Sequence, residues 1–178
     1  MNVANVHQNR AGFTLVELMI VIAIVGILTG IAFPILLNWL PNMRLRGAAR
    51  DVYSIMQRAR AEAIERGVNV TVGFNTATDA YILFLDNGAG GGNADNDVLD
   101  GSEPALLRSG PLPDGVAFDP DPAVVADGDG VSFAGNALVF TPRGLPAGIG
   151  NGTVALWVPA TGRQRSVTVS IAGRVGMQ

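Results

Sequence analysis

No charged side chain occurs between Leu18 and Met43. Within that interval, Leu18–Leu37 is a run of twenty residues in which Thr29 is the only polar one and Gly26, Gly30 and Pro34 are the weak points for a helix. At about 1.5 Å of rise per residue the run spans roughly 30 Å, the thickness of a bilayer core. It reads as a transmembrane helix. From Arg44 onward charges recur as they do in a water-exposed domain, and no internal repeat appears. The 178 residues therefore divide into a membrane segment and one globular domain.

Three accounts of the run compete. A secretory signal has a shorter apolar region, about 7–15 residues, followed by a small-x-small cleavage site. Here the chain continues as Asn38-Trp39-Leu40-Pro41 instead. A plain anchor explains the length but not Glu17, the acid at its front edge. A charge at the centre of a membrane helix costs roughly 2.5–3.5 kcal/mol on insertion scales, and less at the edge, so an acid kept there points to a function. The helix macrodipole gives it a second role, because an anion is favoured at a helix start. Arginine placement pulls the other way. Arg10 precedes the run while Arg44, Arg46 and Arg50 follow it, and that bias alone would put the carboxyl side in the cytoplasm.

Gly12-Phe13-Thr14-Leu15-Val16-Glu17, followed by the long apolar helix, resembles the class III signal of type IV pilins and type II secretion pseudopilins. The resemblance implies cleavage between Gly12 and Phe13 by a prepilin peptidase and N-methylation of Phe13. It makes Glu17 the fifth residue of the mature chain, where the family carries its glutamate. It also places Pro34 where the family often has a helix-weakening proline. In a filament Glu17 of an incoming subunit would pair with the amino group of a neighbour, since an unpaired carboxylate in lipid is penalised. The implied topology is amino end in the cytoplasm, a single pass through the bacterial inner membrane, and a periplasmic carboxyl-terminal domain carried into a periplasmic or surface filament. The implied partners are other pilin or pseudopilin subunits, the prepilin peptidase and the inner-membrane assembly platform.

Beyond the membrane, Arg44–Arg66 reads as an amphipathic helix. Leu45, Ala48, Ala49, Val52, Ile55, Met56, Ala59, Ala63 and Ile64 form one apolar stripe at three- and four-residue spacing. The arginines off the stripe read as a solvated face, partly paired with Asp51, Glu62 and Glu65. Gly67 supplies a C-terminal stop. If Pro34 and Pro41 only bend it, one helix runs from Phe13 to Arg66, roughly 80 Å. Its end, Arg58–Gly67, resembles the "R-x-E-A-I-x-R" phrase of the GspH/FimT group of minor pilins and pseudopilins.

After Gly67 the pattern changes to period two. Expected strands are Val68–Phe74, Tyr81–Leu85, Val116–Phe118, Ala137–Thr141, Thr153–Val158 and Ser166–Ile171, separated by Gly, Pro, Asn and Asp. The fold class is α+β: a long N-terminal helix, transmembrane then amphipathic, packed on a small antiparallel β-sheet domain. The expected divisions are a leader at 1–12, a membrane half of the helix at 13–37, an amphipathic half at 38–66 and a periplasmic β-domain at 67–178. Thr141-Pro142-Arg143-Gly144 and Ser170–Val175 resemble the "T-P-R-G" and "S-x-x-G-R-V" segments of the same group.

The loop Asp86–Asp100 is rich in Gly, Asn and Asp. Alternating oxygen ligands could hold calcium, but the EF-hand spacing is absent, and the simpler reading is an acidic hairpin loop with no cofactor. Gly162-Arg163-Gln164-Arg165 and Gly173-Arg174-Val175-Gly176 resemble the G-R-x-R motif of DNA-uptake members, the second without its final arginine. Arg163, Arg165 and Arg174 are thus candidate phosphate contacts, against turn arginines beside a sheet edge.

Catalysis is the function class that composition demotes. The chain has no cysteine and no lysine, and its single histidine, His7, lies in the expected leader. That removes the usual general base, thiol nucleophile, Schiff-base amine and thiolate or imidazole zinc ligands. The net charge of −3 gives no bulk attraction to nucleic acid. The expectation is a non-enzymatic minor pilin or pseudopilin that supports filament assembly and secretion or pilus function, with a DNA-binding minor pilin as the alternative.

Overall fold

A computed structural model describes residues 13–94, 96–148 and 151–178. Its one long helix, α1, covers Leu15–Arg66. The chain divides into two compact units, one up to Trp39 and one of Leu40–Gln178, and each is taken by itself.

In the first unit Thr14 caps α1. Its hydroxyl accepts the Glu17 backbone N–H at 3.2 Å, and its carbonyl accepts that of Leu18 at 3.2 Å. Ser and Thr are favoured at this position because their oxygen satisfies an amide that the helix leaves open. Leu15–Phe33 is a 19-residue stretch of mean hydropathy 2.6 with none of it buried inside the protein. It begins three residues before the expected run and so takes in Glu17. The Thr29 hydroxyl donates to the Val25 carbonyl at 2.8 Å, so even the one hydroxyl of the span is satisfied within the helix, as a lipid environment requires. The backbone stays helical through Pro34.

In the second unit α1 turns one stripe inward. Leu45, Ala48, Ala49, Val52, Ile55, Met56, Ala59 and Ala63 are all at most 3% exposed. Ile64 departs from the expectation and is 54% exposed. It follows Ala63 directly, and a one-residue step turns the side chain about 100° away from the buried line.

The stripe packs on two four-stranded antiparallel sheets rather than the single sheet expected. The first comprises β1 (Val70–Asn75), β2 (Ala80–Leu85), β3 (Ala105–Pro111) and β5 (Ala137–Phe140), in the order β3-β2-β1-β5. The second comprises β4 (Ala117–Phe118), β6 (Gly152–Val158), β7 (Arg163–Val169) and β8 (Val175–Met177), in the order β4-β6-β7-β8. Val70, Val72, Leu83, Leu138 and Phe140 of the first sheet and Val154, Leu156, Val158, Val167 and Val169 of the second join the helix stripe in one core.

Two strands were not foreseen. β3 contains Ser-Gly-Pro and lacks β-branched alternation. It lies at a sheet edge with register shifts against β2, which is where a proline without an N–H is tolerated. β8 is too short to show a period. β7 begins at Arg163, three residues earlier than expected, and ends at Val169. Charged residues at its start hide the period-two pattern that its second half displays.

Candidate functional site

Gly12, expected to precede the cleavage point, lies outside the described residues, as do His7 and Arg10. Phe13 is 82% exposed at the described amino end. Glu17 sits in the first turn of α1, three residues after the capping Thr14, and its carboxylate faces outward. Thr14-x-x-Glu17 has the spacing of a capping box. The anion therefore stands where the helix dipole is positive and at the front of a span whose apolar side chains have no cover within the chain.

At the far end of α1 three phrases from separate parts of the sequence meet. The half-buried Arg60 donates from Nε to the Gly144 carbonyl at 3.0 Å. Thr141–Gly144 closes as a turn, with the Gly144 N–H on the Thr141 carbonyl at 2.8 Å. Ser170–Gly173 closes in the same way, with the Gly173 N–H on the Ser170 carbonyl at 2.8 Å, and the Ser170 hydroxyl accepts the Arg174 N–H at 3.2 Å. Gly144 and Gly173 have φ of +71° and +72°, which side-chain-bearing residues rarely adopt. A Cβ on Gly173 would run into the Gly144 carbonyl oxygen and crowd Arg60. The signatures thus form a structural clasp: Arg60 ties the turn after β5 to the helix end, and the turn before β8 lies against the same Gly144 carbonyl.

The arginine segments separate. Arg163 and Arg165 open β7, opposite Val158 and Leu156 of β6, not on a turn. With Asn42, Leu45 and Arg46 of α1, and with Gln164, they line a groove of about 300 Å³. Arg174 precedes β8 and does not line that groove. Arg44 donates to the Asp114 carbonyl at 3.0 Å. The expected pairing of the helix arginines with acids is partial. Among the described residues the ion pairs are Arg66–Glu62 at 2.6 Å and Arg58–Glu62 at 3.6 Å. The hydrogen bond from Arg66 holds the Glu62 carboxyl below its ordinary range.

In the acidic loop the carboxylates hold backbone amides. Asp86 accepts the Asp97 N–H at 2.7 Å, Glu103 accepts those of Gly88 and Asp100, and Asp100 accepts that of Asn93. Asp86 and Glu103 are buried by this capping role. Among the described residues no three acidic or histidine groups converge as a metal site. Asp95 lies outside them.

Residues 7–33 match the prokaryotic N-terminal methylation motif, which together with the apolar helix defines a pilin-like, membrane-anchored chain. Residues 48–173 match the family described as Type II transport protein GspH. The pilin-like protein PilA1 of Thermus thermophilus is 34% identical over 96% of this chain and all of its own length. Two crystal structures of the type IV minor pilin FimU of Pseudomonas aeruginosa PAO1 share the fold. They have TM-scores of 0.55 and 0.52 at 17% identity, cover 77% and 75% of this chain, and are themselves covered over 90% and 92%. The chain belongs to the GspH family of minor pilins and pseudopilins, whose members are structural subunits of type IV pili or type II secretion pseudopili and assemble with other such subunits.

Proposed function

We propose that the chain is a membrane-staged minor subunit that is cut between Gly12 and Phe13, methylated on Phe13 and drawn into a filament through its apolar helix. The divisions of this reading are a leader at 1–12, a membrane half at 13–37, an amphipathic half at 38–66 and a periplasmic domain at 67–178. The observation that carries it is the 19-residue apolar helix with no buried residue, headed by a capped turn that holds one carboxylate. Such a surface needs lipid before assembly and neighbouring helices after it. In the filament Glu17 pairs with the amine of the adjacent subunit's first residue, and Pro34 gives the packed helix a point of local adjustment. The prepilin peptidase and the inner-membrane assembly platform are the partners of the staging step.

Intact mass of the chain from membranes with and without a prepilin peptidase tests the reading. A mature species that starts at methylated Phe13, absent in Gly12→Val, is the expected result; an uncut chain, or one cut after the apolar run, overturns it. Glu17→Gln is then expected to leave cleavage intact and lower filament incorporation at least about tenfold, a loss of order 1.4 kcal/mol in pairing. Whether the filament serves secretion or a pilus is read from a deletion strain, by exoproteins held in the periplasm or by loss of surface fibres.

A second reading, DNA capture, rests on Arg163 and Arg165 lying together in a groove with Arg46. A mobility shift with duplex DNA that weakens steeply with salt would carry it, and no shift at low salt would remove it.

A further inference from the structure

Four arginines from two elements share one surface of the Leu40–Gln178 unit. Arg46 and Arg50 come from α1, four residues apart. Arg163 and Arg165 come from β7, two apart and so on one face of the strand. Arg46 and Arg165 line two adjoining grooves. The first also holds Arg163 and Gln164, and the second, about 250 Å³, holds Arg50 and Met177. Arg46, Arg50 and Arg163 are exposed and Arg165 is half-buried. Among the described residues none of the four belongs to an ion pair; those found use Arg58, Arg66 and Glu62. Like charges at this helical spacing repel. The fold therefore gathers an uncompensated cationic cluster in a chain whose net charge is −3.

We propose that this cluster binds the phosphodiester headgroup of an anionic phospholipid. The inference rests on the membrane-spanning reading of Leu15–Phe33. Arginine forks hold phosphate oxygens bidentately, which suits a paired arrangement across a groove. The tether then selects lipid. Arg46 lies nine residues beyond Leu37, the expected end of the span, and Arg50 thirteen. Even a fully extended chain reaches only about 3.5 Å per residue, so Arg46 stays within roughly 30 Å of the bilayer edge whatever the path between them. Trp39, between span and cluster, is 55% exposed, and exposed tryptophans concentrate at the headgroup level. The arginines that follow the span against the usual charge bias thereby gain their counter-charge.

The test uses the full-length chain in nanodiscs of phosphatidylcholine and phosphatidylglycerol. Native mass spectrometry after gentle detergent release counts the lipids kept on each copy. Retention of phosphatidylglycerol over phosphatidylcholine is expected. It should fall about fivefold for each arginine replaced by glutamine at positions 46, 50, 163 and 165, and stay unchanged in Arg143→Gln. If the fourfold variant loses its domain melt, the pair R163Q/R165Q takes its place, with R163K/R165K expected to keep most of the preference. Equal retention of the two lipids, or a preference that survives the substitutions, overturns the inference. So does displacement of phosphatidylglycerol by inorganic phosphate or by duplex DNA at lower concentration than by the soluble headgroup glycerophosphoglycerol. A chain that does not insert overturns the membrane reading and this inference with it, whereas insertion without lipid preference overturns this inference alone.

Discussion

The two halves of α1 meet the same physical problem with opposite solutions. Between Leu18 and Phe33 every side is apolar and no residue is buried within the chain. From Leu45 to Ala63 only one stripe is apolar, that stripe is buried, and the remainder carries arginine and glutamate. A helix that is apolar all round must be covered all round, while a striped helix needs cover on one face only. The second half finds its cover in two sheets of its own chain. The first half must find it in lipid or in other subunits. On the reading proposed, assembly belongs to the half that folding leaves unsatisfied, and folding stability to the half that it satisfies.

Matched substitutions break this comparison most directly. Met56→Ala opens a void in the buried stripe and should cost about 2–5 kcal/mol, lowering the domain's melting temperature by roughly 10 °C in detergent. Ile24→Ala removes more side chain than a methyl group from the first half, yet should leave that melt unchanged. Equal losses from the two variants would show that the halves do not stabilise the domain independently.

A smaller effect sharpens the role of the clasp. Gly173→Ala forces a residue with a Cβ to φ near +72° and against the Gly144 carbonyl. Gly162→Ala imposes a similar φ of +64° with open space around the Cβ. Conformational strain alone is worth about 1 kcal/mol, so the expected losses are about 1 kcal/mol at 162 and about 2 or more at 173 by chemical denaturation. Matching losses would remove the clasp as a source of stability.

The smallest effect lies on the solvated face. The Glu62 carboxyl is held below its ordinary range chiefly by the hydrogen bond from Arg66. A group with a depressed native pKa stabilises the fold above its unfolded pKa and loses that contribution as pH falls through the native one. Glu62→Gln should therefore leave the melt almost unaltered at neutral pH, since exposed pairs contribute little. It should slightly flatten the fall in stability below the ordinary carboxylate range. A marked loss at pH 7 would mean that this face supports the fold as the buried one does.

Much of this division is legible in local sequence. The uncharged interval after Glu17, the spacing from Leu45 to Ala63 and the stop at Gly67 each follow from a repeat of a few residues, so the helix and its two characters can be read before any contact is known. Strands with regular alternation, such as Val70–Asn75 and Gly152–Val158, are legible for the same reason. β3 and β8 are not, because an edge strand with Ser-Gly-Pro and a three-residue strand form by pairing with neighbours rather than by pattern.

What the sequence determined by itself was the set of faces: which half of α1 wants lipid, which stripe wants a core, and where the cleavage motif and Glu17 stand relative to the span. Only the tertiary structure decided which faces meet. It joined Arg60 to Gly144 and set Gly173 against that carbonyl, and it brought Arg163 and Arg165 to Arg46 while leaving Arg174 out of that groove. Those meetings depend on strand register, with Arg165 opposite Leu156 and Arg163 opposite Val158, and a one-residue slip would send every side chain of β7 to the other face. Register is a property of pairing between distant segments, so no local period in the sequence encodes it.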